Sequence, residues 1–414
     1  MPEASYDDVP YPGYAFASTH PDSLATVAHL HGLDVPHVAR SRVIEFGCGN
    51  GGNLIPIASA FPAARFFGID IAPGAIAHGR AEAASLGLTN IEFAVGDIAT
   101  FTSAHRFDFV IAHGVYSWVP EPVRRRLLAL YGELLSERGL GFLSFAAYPG
   151  GHLTAMLHHM AKFHARDAAD PRAAIAAARD LLRMVAAAAT ASDPAQASLR
   201  RDALRMADLD DALIAHDVLS DTHHCAWLHD IAAQLRELGL QYVADARLTP
   251  QVAISGLPHV ERFVALGGDD AVLRAQYLDF VRVNRFREIV IARAGTKPAL
   301  APRADRLDPV RLRADIAPEG ATPSLAPGAA VRFNVRTGSG LTIDDPLAKA
   351  ALLAIAAAYP RGLLLGEIVA ASVGALRAAG FDSAMPADPA AHLAEALSAL
   401  LGGDLLQPAL NEPP

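Results

Sequence analysis

Arg42-Val43-Ile44-Glu45-Phe46-Gly47-Cys48-Gly49-Asn50-Gly51-Gly52-Asn53 runs from a short apolar strand into a glycine-rich turn and then into the start of a helix. A brief apolar run bounded by glycines has the pattern of a strand buried on both faces. Outward from it, strands are expected at Val43–Phe46, Arg65–Asp70, Ile91–Asp97, Phe107–His113 and Gly141–Tyr148. Helical spacing fills the intervals at Asn53–Phe61, Pro73–Leu86 and Pro122–Leu135. Strands separated by helices require crossover connections, so the expected class is α/β, a parallel sheet covered on both faces. In such sheets ligands bind at the carboxyl ends of the strands.

Before this unit, residues 1–41 form an expected arm or lid, with Tyr6, Tyr11, Tyr14 and Phe16 clustered in it. Ser18 or Thr19 is placed to cap a helix that begins near Pro21 and runs through Leu24, Val27 and Leu30. After it, residues 151–220 carry no strand signal. Three alanine-rich helices are expected there, at His152–Arg166, Pro171–Ala188 and Gln196–His216, as a helical insertion serving a regulatory or substrate role. The α/β pattern resumes with a helix from Trp227 to Leu238, a strand at Leu240–Ala246, a helix at Asp270–Val283 and a strand at Phe286–Arg293. The core is thus expected to comprise residues 42–150 and 221–294. Six prolines between Pro298 and Pro327 mark residues 295–328 as a loosely packed linker. The tail, 329–414, reads as a hairpin (Ala330–Val335, Leu341–Asp344) and helices at Pro346–Tyr359, Leu364–Ala379 and Ala390–Leu401, a small helical or winged-helix-like domain. It carries few basic residues, which favours protein contact or homodimerisation over DNA.

Composition narrows the function classes. A chain of 414 residues, 52% hydrophobic and 19% charged, has the material for a large core. The net charge of −9 and the lack of any basic run argue against a sequence-independent nucleic-acid binder. The two cysteines, Cys48 and Cys225, stand far apart, which suits a reduced, cytoplasmic setting better than a disulfide framework. No apolar run reaches the length of a membrane span, and the acidic, tyrosine-rich N-terminus does not read as a signal peptide.

The chemistry of the turn lies in its spacing. A dinucleotide-binding loop reads G-x-G-x-x-G. Here glycines fall at every second position, Gly47, Gly49 and Gly51, with Glu45 two residues before the first. That arrangement is less suited to cradling a pyrophosphate on a helix N-terminus and suits a loop bending under an amino-acid tail and a sulfonium. Two acids then end successive strands, Asp70 and Asp97. A carboxylate at the first position can accept both hydroxyls of a ribose. One at the second can accept an exocyclic amine or cap a neighbouring backbone amide.

Residues 42–148 therefore resemble a class I S-adenosylmethionine-dependent methyltransferase, with its E-x-G-x-G-x-G turn and its two strand-end acids. The resemblance implies a Rossmann-like sheet and S-adenosyl-L-methionine as cofactor. It implies cofactor contacts from Glu45, Gly47, Cys48, Gly49, Gly51, Asn53, Asp70, Ile71, Asp97, Ile98 and His113. A narrower resemblance covers almost the whole chain. Tyr6-Asp7-Asp8-Val9-Pro10-Tyr11, Thr19-His20-Pro21, Gly51-Gly52-Asn53-Leu54-Ile55-Pro56 and His113-Gly114-Val115-Tyr116-Ser117-Trp118-Val119-Pro120 resemble bacterial methyltransferases that carry a methyltransferase regulatory domain. Tyr277-Leu278-Asp279-Phe280 and Asn284-Arg285-Phe286-Arg287 are similar to that group too. Its better-known members are rickettsial protein-lysine methyltransferases, which implies a protein substrate. The loop Ala146-Ala147-Tyr148-Pro149-Gly150-Gly151 departs from the Asn-x-Tyr-Pro-Gly-Trp of many members, so the acceptor can differ.

Methyl transfer from a sulfonium depends mainly on positioning, because the leaving group is already good. An amine acceptor must first lose a proton, and free lysine has a pKa near 10.4. Candidates for that role are His113, Tyr116, Tyr148, Tyr11 and His20, with no base assigned. The segment His113-Gly114-Val115-Tyr116 replaces the Asn-Pro-Pro-Tyr-type motif of enzymes that methylate planar nitrogens. The spacing of His158, His159 and His164, and of His223, His224, Cys225 and His229, matches no standard zinc pattern, and no metal is expected. Besides protein-lysine methylation, two functions stay open: a small-molecule O- or N-methyltransferase, and a catalytically silent cofactor-binding module working through partners.

Overall fold

The computed structural model describes residues 9, 11–190, 192–248, 257–320, 323–335, 340–401 and 405–411. A first helix, α1 (Pro21–Leu30), leads into β1 (Arg42–Phe46), α2 (Leu54–Ala60), β2 (Arg65–Asp70), α3 (Pro73–Ser85), β3 (Ile91–Val95), β4 (Phe107–Ala112), α4 (Glu121–Leu134) and β5 (Leu135–Ala147). Then come α5 (Gly151–Ala165), α6 (Pro171–Ala188), α7 (Pro194–Ala207), the short α8 (Asp211–Leu213) and a single π-helical turn, Ile214–Val218. The sheet resumes with β6 (Cys225–Ala226), α9 (Leu228–Glu237), β7 (Leu240–Asp245), α10 (Pro258–Val264), α11 (Ala271–Arg282) and β8 (Phe286–Arg293). The last part holds β9 (Arg311–Arg313), β10 (Ile316–Pro318), β11 (Val331–Val335), β12 (Gly340–Ile343), α12 (Pro346–Ala358), α13 (Leu365–Ala378), α14 (Pro389–Leu400) and β13 (Gln407–Ala409).

The main sheet runs in the order β3-β2-β1-β4-β5-β8-β7, with β6 beside the end of β5. Pairings from β3 to β5 are parallel, and β8 is antiparallel to both neighbours. Successive side chains of a strand point to opposite faces, and both faces are covered here. Val43, Phe109 and Ile111 pack toward α1, α2 and α3, whereas Ile44, Phe46, Val110 and Ala112 pack toward α4, α9 and α11. This is why the strand next to the glycine turn reads as continuously apolar, apart from Glu45.

Most expected boundaries lie within a residue or two of the observed ones, with four instructive exceptions. The strand expected at Gly141–Tyr148 begins at Leu135, directly after α4, six residues before the expected start. The expected helix Gln196–His216 is interrupted: α7 ends at Ala207, and the chain reaches the π turn through α8. Asp208 caps that end, and the Arg179 guanidinium binds the carbonyls of Ala207 (3.0 Å) and Leu209 (2.6 Å). The N-cap of α1 is His20, not Ser18 or Thr19: His20 Nδ1 accepts from the Asp22 amide at 3.2 Å. Residues 295–328 are not a loose linker throughout. Leu307, Val310, Leu312 and Ala314 are buried in the C-terminal core, β9 pairs with β13, and β10 pairs with β11. The prolines interrupt helices there without preventing short edge strands.

The inserted helices have a small core of their own, including Leu157, Ile175, Leu182, Met206 and Ile214. They are tied to the sheet by a salt bridge from Arg285 Nη2 to the buried Asp202 (2.8 Å). Beneath β7 and β8, buried Arg287 binds Asp279 through Nε at 2.8 Å and Nη2 at 2.9 Å, and also contacts Asp245.

Candidate cofactor and acceptor site

The turn after β1 is shaped by what surrounds it. Gly47 has φ +70°, and a Cβ there would lie 2.4 Å from Val115 Cγ2. Gly51 has φ +79°, and a Cβ there would lie 2.4 Å from the Phe93 ring. Only glycine accommodates both the left-handed backbone and the close approach. The turn is pinned to β2, because the Gly47 amide donates to the Ile69 carbonyl at 2.8 Å. The Asp70 carboxylate accepts from the Gly49 amide (2.8 Å) and the Ala72 amide (2.9 Å).

This corner walls a cavity of ≈ 640 Å³ at the carboxyl ends of the strands. Of the expected cofactor residues, Gly47, Gly49, Asp70, Ile71, Asp97 and Ile98 line it. Asp97 also caps its own turn, accepting from the Ala99 amide at 2.8 Å. Gly114, Val115, Trp118, Val119, Pro120 and Val123 line the cavity as well, together with Tyr11 and Asp217.

Other expected residues support the corner from behind. Cys48 is buried, and its thiol is pushed far up, first by burial and then by the Glu45 and Asp70 carboxylates. Gly51 packs on Phe93 and does not line the cavity. Asn53 donates to Glu45 Oε1 at 2.9 Å, while its Oδ1 accepts from the Phe16 amide and the Thr19 hydroxyl, both at 3.0 Å. It thereby fastens the N-terminal arm to the glycine turn. Glu45 is only 3% exposed, and its Oε2 has no hydrogen-bond partner among the described residues. Burial, and behind it the charge of Asp70, pushes its carboxyl up to about 8 against the pull of Asn53. A buried acceptor left open beside a glycine turn fits a ligand with a positive charge or an N–H to supply.

His113 does not line the cavity. Its ring stacks on Phe16 at 3.8 Å, and its Nε2 lies 3.7 Å from Glu288, which also accepts from the Ser18 hydroxyl at 2.7 Å. It secures the arm to the sheet. Of the other acid–base candidates, Tyr116 is buried against Phe145 and His224, and burial pushes its hydroxyl up to about 12. Tyr148 stacks on His152 (4.2 Å) and packs at a tilt on Trp227 (5.1 Å), outside the cavity. His20 packs on Phe61, and burial lowers it to about 4. Tyr11 alone of the five reaches the cavity, with its hydroxyl 3.5 Å from Asp217 Oδ2.

The histidine-rich stretches are packing elements. His158 stacks on His223 at 4.0 Å, and its Nδ1 lies 3.1 Å from the Val218 carbonyl. Burial lowers the two rings to about 3 and about 4. Among the described residues no group of three His, Cys, Asp or Glu side chains could hold a metal ion, and no helix is long and apolar enough to cross a membrane.

Sequence reasoning missed Trp118, Val119, Pro120 and Val123 as wall residues, although the first three belong to the phrase 113–120. It missed Asp217 entirely. Nothing in an alanine-rich insertion marks one acid among many, and only the π turn aims it at the cavity. Single π turns recur at functional sites.

Comparisons with known proteins agree with this geometry. Residues 43–139 match the model of a methyltransferase domain, and residues 210–293 match that of a predicted methyltransferase regulatory domain. The second match begins at the end of the inserted helices and covers the π turn and the latter half of the sheet, leaving residues 151–209 outside it. An uncharacterized protein of Rickettsia prowazekii is 34% identical over 289 residues, which is 69% of this chain and 52% of that protein. A second one from the same organism is 27% identical over 227 residues, covering 54% of this chain and 91% of that protein. The chain thus spans about half the length of the first relative. Among solved structures, PKMT2 from Rickettsia typhi in complex with AdoHcy aligns with a TM-score of 0.82 at 23% identity, covering 97% of this chain and 78% of that one. Residues 43–139 thus carry a methyltransferase domain and residues 210–293 a predicted methyltransferase regulatory domain, on a sheet whose order and glycine turn have the class I methyltransferase fold.

Proposed function

We propose that this chain transfers a methyl group from S-adenosylmethionine to an amine, specifically to lysine side chains of a protein. The observation that carries the reading is the composition of the cavity. Three carboxylates (Asp70, Asp97 and Asp217) and two aromatic rings (Tyr11 and Trp118) line it, with no lysine or arginine among the described lining residues. Such a wall attracts a cationic amine and repels a carboxylate or phosphate acceptor. The protein-lysine reading is further supported by the resemblance in residues 113–120 and 277–287.

In this reading Asp70 holds the ribose hydroxyls, Asp97 and Ile98 receive the adenine, and Gly47 and Gly49 let the backbone approach the amino-acid end. Glu45 supports that end through its open Oε2. The cofactor supplies an activated methyl group on a sulfonium. The chain's own contribution is orientation, exclusion of water by the arm held through Asn53, and a negative wall for the incoming amine. The test is incubation of the purified chain with methyl-labelled S-adenosylmethionine and bacterial lysate, followed by hydrolysis of the labelled protein bands. Label recovered as methyl-lysine is the expected result. Label only in small molecules removes the protein-lysine reading, and no label despite measurable cofactor binding removes the activity.

A further inference from the structure

We infer that Asp217, framed by Tyr11 and Trp118, is the subsite that receives the ammonium group of the acceptor. The inference rests on the methyl-transfer reading and adds where the acceptor enters and what charge it carries.

The three carboxylates of the cavity are not equivalent. Asp70 and Asp97 are each engaged by backbone amides at the ends of their strands, Gly49 and Ala72 for one and Ala99 for the other. That engagement spends part of their acceptor capacity on holding the turns. Asp217 accepts no backbone amide among the described residues, and the contact it makes is the long one from the Tyr11 hydroxyl, 3.5 Å. A carboxylate has roughly four lone-pair directions, so most of its acceptor capacity is unused among the described residues, and its side chain lines the cavity.

Its position is built. Ile214 and Val218 on the same π turn are buried in the core of the inserted helices, and His216 Nε2 lies 2.6 Å from the Val9 carbonyl. The turn is therefore anchored on both sides of Asp217 and directs that one side chain across to the methyltransferase half. Surrounding atoms shield it from bulk water, and burial pushes its carboxyl up to about 7. A carboxylate so placed gains from a cation that neutralises it. The aromatic faces of Tyr11 and Trp118 on the same cavity wall favour a cation further. Tyr11, Asp70, His78 and Asp97 are the other titratable groups on that wall, and none is a lysine or arginine that could occupy Asp217 in place of a substrate.

The test uses the full chain saturated with S-adenosylhomocysteine and titrated calorimetrically with n-butylammonium, a lysine side-chain mimic, and with butyrate as the anionic counterpart. The wild type is expected to bind the amine and not the acid. Asp217→Asn is expected to weaken the amine about tenfold or more, the scale of a lost charged hydrogen bond, and to leave S-adenosylhomocysteine affinity within about twofold. Asp217→Ser, checked for an unchanged thermal midpoint, repeats the measurement. Three results overturn the assignment: no amine binding by the wild type, equal amine binding by wild type and variants, or a tenfold loss of S-adenosylhomocysteine affinity in the variants. The last would place Asp217 on the cofactor. Failure of the methyl-transfer reading is seen separately, as absence of labelled lysate with amine binding intact.

Discussion

Replacing Asp70 by alanine tests the corner on which the whole site depends. Its two oxygens already accept the Gly49 and Ala72 amides at 2.8 and 2.9 Å. About half of the carboxylate's acceptor capacity is thus used to shape the turn, and about half faces the cavity. A hydrogen bond to a charged group contributes about 1.5–3 kcal/mol. Losing a single such bond to a ribose hydroxyl therefore predicts an affinity about 10- to 150-fold weaker. The assay is calorimetric titration of S-adenosylhomocysteine into Asp70→Ala and Asp70→Asn. Asparagine keeps one carbonyl oxygen for the Gly49 or Ala72 amide and should lose less. A dideoxyribose analogue separates the two duties in a double-mutant cycle: it should bind the wild type weakly and lose little more on mutation. Unchanged affinity for S-adenosylhomocysteine in Asp70→Ala, with an unchanged thermal midpoint, would show that Asp70 is only a turn cap.

Glu45→Gln probes the buried acid behind the turn. The folded-state pKa of Glu45, about 8, lies above its unfolded value of about 4.3, so its stabilising contribution is complete below the unfolded value and fades as pH rises through about 8. Without cofactor, the thermal midpoint of the wild type should fall between those pH values more steeply than that of Glu45→Gln, and parallel curves would refute the assignment. Arg287→Ala should destabilise the fold by about 3–5 kcal/mol in urea titrations, because Asp279, 1% exposed, would be left buried without its guanidinium. Adding Asp279→Asn should recover part of that loss, and a single-mutant cost below about 1 kcal/mol would contradict the account.

Much of the architecture was legible in the chain because local rules and the tertiary fold agree. Alternation of buried strands with amphipathic helices placed most of the main-sheet strands, and β8 (Phe286–Arg293) agrees residue for residue. The glycine turn was legible because the left-handed backbone at Gly47, Gly49 and Gly51 is a local demand that glycine meets, whereas the close approach of Val115 and Phe93 is a tertiary one. Strand-end acids were legible because their carboxylates cap turns one or two residues away.

What tertiary structure decided is which side chains, distant in sequence, share a cavity. His113 directly follows β4 next to the site, yet Phe16 and Glu288 hold its ring elsewhere, and neither neighbour can be inferred from the sequence around His113. Tyr116, Tyr148 and His20 have suitable chemistry, but their rings pack on neighbours outside the cavity and do not line it. Residues 307–314 read as linker because proline breaks local periodicity, but their apolar side chains complete a core supplied by helices dozens of residues later. Asp217 stands 206 residues from Tyr11 and meets it only because the inserted helices fold back over the sheet. Local propensity and spacing determine strands, turns and the glycine corner with its two acids. The side of the cavity that holds Tyr11 and Asp217 is assembled by long-range packing, whose partners no short window of sequence contains.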